Sequence, residues 1–248
     1  MKKTILLCGA LLALTSTVAS AAGVNFAWNA CYGEGTGIQN KTFACGVNTG
    51  TNSAVGSFVA PAGVTALSGN EVVIDLQSAG TTLPAWWSFK NVGTCRTTSL
   101  SVNFVANAAN TVCVDDFSGA GAGGIGAYRI GYGGDPARAR ARIFIAIATP
   151  APGPIDADVE YFVFNLLINN AKTVGTGACA GCTVPLCLVL NSIKLTQPIG
   201  VGDFTLSQAA NPASNYITWQ ALDFPLLGCG YVVPTRNATW GAVKSLYR

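Results

Sequence analysis

Arg138-Ala139-Arg140-Ala141-Arg142-Ile143-Phe144-Ile145-Ala146-Ile147-Ala148 places Ala139, Ala141, Ile143, Ile145 and Ile147 at alternate positions. Successive side chains of a strand point to opposite sides, so this spacing predicts a strand with that apolar row inward and Arg138, Arg140 and Arg142 on the other face. The period of two recurs in Glu71-Val-Val-Ile-Asp-Leu-Gln77, where Val72, Ile74 and Leu76 share a face. It recurs again in Ser99-Leu-Ser-Val-Asn-Phe104, where Leu100, Val102 and Phe104 do. Further strands are expected near 42–47, 54–60, 86–90, 111–116, 127–132, 155–168, 184–196, 215–221 and 230–233. Convincing helical periodicity is nearly absent. Around ten strands joined by short turns predict an all-β fold of two packed antiparallel sheets, a sandwich over 22–234; a barrel fits the same pattern.

Two segments between strands set the expected connections. Ser118 to Gly134 is so rich in glycine that it reads as loop on either side of a short strand. Within it Gly121-Ala-Gly123-Gly-Ile-Gly126 matches G-x-G-x-x-G, but a dinucleotide site needs a helix next. Ala127 to Tyr132 reads as strand, so no cofactor is expected. Thr149-Pro-Ala-Pro-Gly-Pro154 is a stiff connector, because proline cannot donate to a sheet ladder. It is expected to form a long hairpin loop between 138–148 and 155–168, in preference to a domain boundary. In that hairpin Arg142 lies near Glu160 or Phe162, while Arg138 and Arg140 face apolar partners and lack a carboxylate.

The chain begins Met1-Lys2-Lys3, continues with an apolar run from Ile5 to Leu14, and reaches Ala19-Ser20-Ala21-Ala22. A cationic start, a short apolar stretch and an A-x-A site look like a bacterial secretory signal, here residues 1–21 with cleavage after Ala21. The run falls well short of the roughly 20 apolar residues of a membrane span. Leu7 is too bulky for the lipoprotein alternative at Cys8. No later stretch is long enough to span a bilayer, so the mature chain is expected to be secreted: extracellular, periplasmic or at the cell surface. Without Lys2 and Lys3 the net charge falls from +3 to about +1, which predicts no general affinity for nucleic acid.

Eight cysteines remain beyond the leader: Cys31, Cys45, Cys95, Cys113, Cys179, Cys182, Cys187 and Cys229. An even number in an exported chain implies disulfides, and proximity along the chain favours Cys31 with Cys45 and Cys95 with Cys113. Cys179, Cys182 and Cys187 would then share two bonds with Cys229. The Cys179-x-x-Cys182 spacing also suits zinc, but zinc needs reduced thiolates, which export disfavours.

The chain has no histidine, which removes Ser-His-Asp and Cys-His catalysis and imidazole-bound metals. Acid–base chemistry would fall to carboxylates, and two groups stand out. Asp115 and Asp116 are adjacent and would point to opposite faces of a strand. Asp156, Asp158 and Glu160 share a face if extended, as a solvated strand start or a weak Ca²⁺ site. A glycoside hydrolase needs two carboxyl groups roughly 5–9.5 Å apart across a cleft. Trp86 and Trp87 fall on opposite faces if extended, so one could fill the core while the other stacks on a sugar. The stripe Arg138, Arg140, Arg142 is either a solvated face that discourages edge aggregation or a site for an anionic ligand such as an acidic polysaccharide. Asn40-Lys-Thr42 and Asn237-Ala-Thr239 are glycosylation sequons.

Beyond Pro234 lies a distinct tail, 235–248, in which Thr239 could cap a short helix carrying Trp240, Val243 and Tyr247 on one face. The β-rich body is loosely similar to extracellular binding and adhesion sandwiches, a likeness of architecture alone. The leading expectation is a non-enzymatic secreted or cell-surface protein, structural or adhesive, attached through its Cys-rich tip and tail to a glycan or envelope component. A carbohydrate-binding module using Trp86 or Trp87 is the second expectation, and a carboxylate-dependent glycoside hydrolase the third.

Overall fold

The computed structural model describes residues 21–78, 80–106 and 113–220. The expected leader as far as Ser20, the strand expected over 230–233 and the expected tail over 235–248 lie outside them. The described strands are β1 (Gly23–Trp28), β2 (Asn40–Lys41), β3 (Thr51–Val59), β4 (Leu67–Ser78), β5 (Leu100–Asn103) and β6 (Val114–Asp115). They continue as β7 (Ala122–Ile130), β8 (Arg140–Gly153), β9 (Glu160–Asn169), β10 (Leu186–Thr196), β11 (Phe204–Leu206) and β12 (Tyr216–Trp219). A single 3-10 turn, Ala85–Trp87, is the one helical element among the described residues.

Two sheets result, and the sandwich expectation holds. One sheet runs β1-β3-β9-β5, with β6 also pairing β9; the other runs β2-β12-β10-β4-β8-β7, with β11 on β10. The alternation that predicts β4 and β8 also pairs them. Val72 faces Ile145, Ile74 faces Ile143 and Leu76 faces Ala141, all six buried. Those residues meet Phe26, Phe58, Phe164, Leu166 and Ile168 of the opposite sheet in one continuous core. A slip by one residue would turn either apolar row outward, so burial locks the register.

Three expected connections are corrected. The stretches 138–148 and 155–168 do not form a hairpin: β8 pairs with β4 and β7, while β9 lies in the other sheet between β3 and β5. The reason is burial. Residues 161–166 of β9 are buried on both faces, so β9 needs a central place with cover on each side, which a partner presenting arginines would not give. The proline segment is not a loop, since β8 continues through Pro150 and Pro152 to Gly153 before the chain crosses over. Beyond the Ala122↔Ala148 pair β7 has ended, so β8 has a neighbour on one side only, where a missing N–H is tolerated. The glycine segment does hold a strand between loops, but that strand is longer than expected, β7 starting at Ala122, well before the 127–132 stretch.

Candidate functional site

Disulfides gather the loops at one end of the sandwich. Cys45 pairs with Cys182 and Cys95 with Cys179, across 137 and 84 residues of sequence. The third described bridge joins Cys31 to Cys113, so the chain-local pairs Cys31–Cys45 and Cys95–Cys113 do not form. Sequence proximity misleads here because the strands between these cysteines alternate between sheets, bringing distant loops together. Cys187 is buried and disulfide-bonded, and Cys229 lies outside the described residues. Such bridges belong to an oxidising compartment. Other bonds reinforce the staples. Asn48 Oδ1 accepts the backbone N–H groups of Thr173 and Val174 at 2.7 and 2.9 Å, and Lys172 donates to the Cys95 carbonyl at 2.9 Å.

Beneath this cap lies an aromatic cluster that removes the sugar-stacking role expected of Trp86 and Trp87. Both are fully buried, in a 3-10 turn in place of the expected strand over 86–90. Their rings meet edge to face at 5.0 Å, and both pack against Trp219. Arg96, 1 % exposed, lies with its guanidinium 3.5 Å from the Trp86 ring centroid. It donates to the backbone carbonyls of Trp86, Ala171 and Asn169. A buried cation is thus held by ring faces and peptide oxygens, without a carboxylate among the described residues.

The arginine stripe is resolved into three separate anchors. Arg142 makes two parallel bonds to Asp75 at 2.7 and 2.8 Å, and Asp75 also accepts from Asn191 and from the Gly134 N–H. Arg140 donates to the carbonyls of Gly131 and Asp135 at 2.9 and 3.0 Å. Arg138 precedes β8 and sits 3.5 Å from Asp135. Their partners come from β4 and from the 131–139 loop, because β8 lies beside those elements.

The carboxylates are dispersed. Asp156 and Asp158 are exposed on a turn before β9, Asp158 at a left-handed φ of 62°, so the three acids do not line one strand face as expected. Glu160 accepts from Asn25 at 2.8 Å and Ser57 at 2.6 Å on the outer face of the five-stranded sheet, and burial pushes its pKa up. Asp115 caps a turn by accepting the Phe117 and Gly119 N–H groups at 3.0 and 2.9 Å. Asp116 turns toward Asn70 of β4, and burial raises its pKa to about 8. Among the described residues the one cluster of three metal-ligating groups is Cys31, Glu34 and Cys113, whose sulfurs are bonded to each other.

A concavity of about 350 Å³ opens beside the edge strand β7. Lys90 and Asn91 form one wall, and the stretch from Ile125 to Arg129 forms the other. A β-bulge between Ile125 and Ala127 leaves Gly126 without a register partner and bends β7 around the hollow. The opposite wall is stiff. The Lys90 N–H bonds the Thr97 carbonyl at 3.1 Å, Phe89 is buried beneath, and the Tyr128 hydroxyl donates to the Trp87 carbonyl. Lys90 adopts a left-handed φ of 61°, a conformation a non-glycine residue keeps only where its surroundings enforce it. Neither Lys90 nor Arg129 carries any signature at the level of sequence, since a bulge and a stapled loop bring them together. No family model, no curated protein and no solved structure matches the chain.

Proposed function

We propose that this chain is an exported, non-enzymatic β protein of structural or adhesive type, working outside the cytoplasm or at the cell surface. The observation that carries the reading is that most of the described carboxylates are engaged by the scaffold, the exposed Asp156 and Asp158 lying apart on a turn. Asp75 clamps Arg142, Asp115 caps a turn, Asp116 meets Asn70, Glu160 binds Asn25 and Ser57, and Asp203 holds Lys194 and the Gln197 N–H. Each is a scaffold contact, whereas hydrolysis of a glycoside needs two such groups free and facing one substrate. The leader-like N-terminus and the disulfide-tied loop cap support the same reading. A cap held by bridges and buried aromatics is preorganised, and preorganisation lowers the entropy cost of meeting a partner.

Expression with the native N-terminus, followed by fractionation, tests the proposal. Its thiols should resist alkylation until reduced, and the protein should leave the cytosol and co-sediment with cell envelopes. Cytosolic protein with reactive thiols would overturn it. So would release of reducing sugar ends from envelope polysaccharide, which would restore the hydrolase.

A further inference from the structure

The hollow beside β7 has the chemistry of an anion site. Lys90 and Arg129 are both exposed on its walls, and neither forms an ion pair among the described residues. Nearby acids are already engaged. Arg142, the cross-strand neighbour of Arg129, takes Asp75, and Arg138 takes Asp135. Both cations therefore line one small hollow, and among the described residues no acidic side chain pairs with either. The arrangement departs from Arg138, Arg140 and Arg142, each of which has a protein partner.

An aromatic ring adjoins Arg129 just outside the residues that line the hollow. The Arg129 guanidinium lies 5.5 Å from the centroid of Tyr132, and Tyr132, 55 % exposed, is the one exposed aromatic side chain among the described residues. Asn91 adds an exposed amide that can donate and accept. A volume of about 350 Å³ lies within the range of small-ligand pockets, roughly 300–1,000 Å³. Two cations, an amide and an exposed ring on a stiff frame match a sugar that bears a negative group.

We propose that Lys90, Asn91, Arg129 and Tyr132 form a binding site for one unit of an acidic polysaccharide. The anionic group sits between Lys90 and Arg129, Asn91 bonds a ring hydroxyl, and Tyr132 covers the apolar face of the sugar. Charge-assisted bonds to the anion supply most of the affinity, and the ring supplies the preference for a saccharide over a free ion. This assignment rests on the non-enzymatic surface reading and names its partner class. It replaces the buried tryptophans as the saccharide-contacting surface.

The test is affinity electrophoresis of the purified oxidised protein through gels containing polygalacturonate, dextran sulfate or neutral dextran. Retardation by polygalacturonate identifies a carboxylate as the anion, and retardation by dextran sulfate alone identifies a sulfate; either supports the site. Lys90→Asn tolerates the left-handed backbone, and Arg129→Gln keeps length and polarity. Each should weaken binding about tenfold, as expected for loss of one charged hydrogen bond. Tyr132→Ala should weaken it as well, whereas Arg138→Gln, which removes a cation elsewhere, should leave it within about twofold. Equal retardation by neutral dextran, no retardation by either anionic polymer, or an equal loss in Arg138→Gln overturns the assignment. Envelope co-sedimentation that survives Lys90→Asn with Arg129→Gln would sink this site while leaving the surface function standing.

Discussion

Asp75 on β4 and Arg142 on β8 face each other across one register pair and are joined by two nearly equal bonds of 2.7 and 2.8 Å. The two partners differ in exposure. The Asp75 side chain is 2 % exposed and that of Arg142 is 44 % exposed. Removing the cation therefore strands a buried anion, whereas the water-facing partner is the easier one to leave alone. Arg142→Ala should lower stability by about 1–3 kcal/mol, below the full cost of breaking a buried pair because Asn191 and Gly134 still donate to Asp75. Asp75→Asn should cost less than Arg142→Ala, and urea unfolding of both variants and the double variant reads the coupling. A cost of Arg142→Ala within error of zero would show that the pair is only a surface contact.

The bridge between Cys95 and Cys179 holds the loop that carries Lys90 against the 170–185 loop. Replacing both cysteines with serine should cost about 2–4 kcal/mol, chiefly by freeing the unfolded chain. The Arg96 contact with Ala171 spans the same two loops and that with Asn169 ties the first to the end of β9, so the fold should survive with a lower midpoint. An unchanged denaturation midpoint in the double serine variant would contradict this.

Gly56 of β3 sits beside a bulge of β9 at Val163, where a methyl group would enter the ring of Phe164. Phe164 is fully buried in the core, so it cannot swing clear. Gly56→Ala should destabilise by about 1–3 kcal/mol through overpacking. Adding Phe164→Leu should recover part of that loss, because the smaller side chain vacates the collision. Thermal unfolding of the single and double variants checks both signs, and a double variant weaker than the sum of the two single costs would defeat the steric account.

The pattern of β4 and β8 was legible because each has one face in the core and one against polar groups. β1 was not: all six residues from Gly23 to Trp28 are buried, so no alternation marks the strand, and it abuts the expected leader. β9 was located, starting at Glu160 where 155 was expected, but its neighbours were not; a strand buried on both faces carries no signal of which sheet it joins. The two tryptophans show a different limit. Their side assignment assumed an extended backbone, and the 3-10 turn after Pro84 sends both inward. Charge pairing failed for a related reason, since Arg142 finds Asp75 through a sheet neighbour remote in sequence. The basin at Lys90 and Arg129 needs both the bulge at Gly126 and the staple at Cys95, and neither geometry is encoded by residue type at those positions.

Asp116 gives the fold a pH dependence whose sign follows from its place beside Asn70. Burial raises its pKa from 3.8 to about 8, with Asp115 pushing the same way, while the bond from Asn70 opposes the rise. A protonated Asp116 has a hydroxyl to donate, and Asn70 Oδ1 is a buried acceptor without a partner. The neutral acid can therefore complete a two-point pairing with the amide that the carboxylate cannot. Between pH 4 and about 8 the unfolded chain has released this proton and the folded chain has kept it. Unfolding then sheds a proton, so stability is greatest at the acid end of that window and falls as pH rises, by at most about 1.4 kcal/mol per unit. Above about pH 8 the contribution is exhausted. Glu160, also raised by burial, adds to the same slope. Asp203 is lowered by the Gln197 N–H and Lys194, so its stabilisation is lost only below the ordinary carboxylate range, outside this window. Asp116→Asn keeps an amide partner for Asn70 and carries no titratable proton. The variant should match the parent near pH 5, exceed it at pH 8, and show a flatter dependence of unfolding midpoint on pH between them. A parent that is more stable at pH 8 than at pH 5, with the same slope in Asp116→Asn, would mean that Asp116 is ionised in the folded chain and that Asn70 gains nothing from its proton.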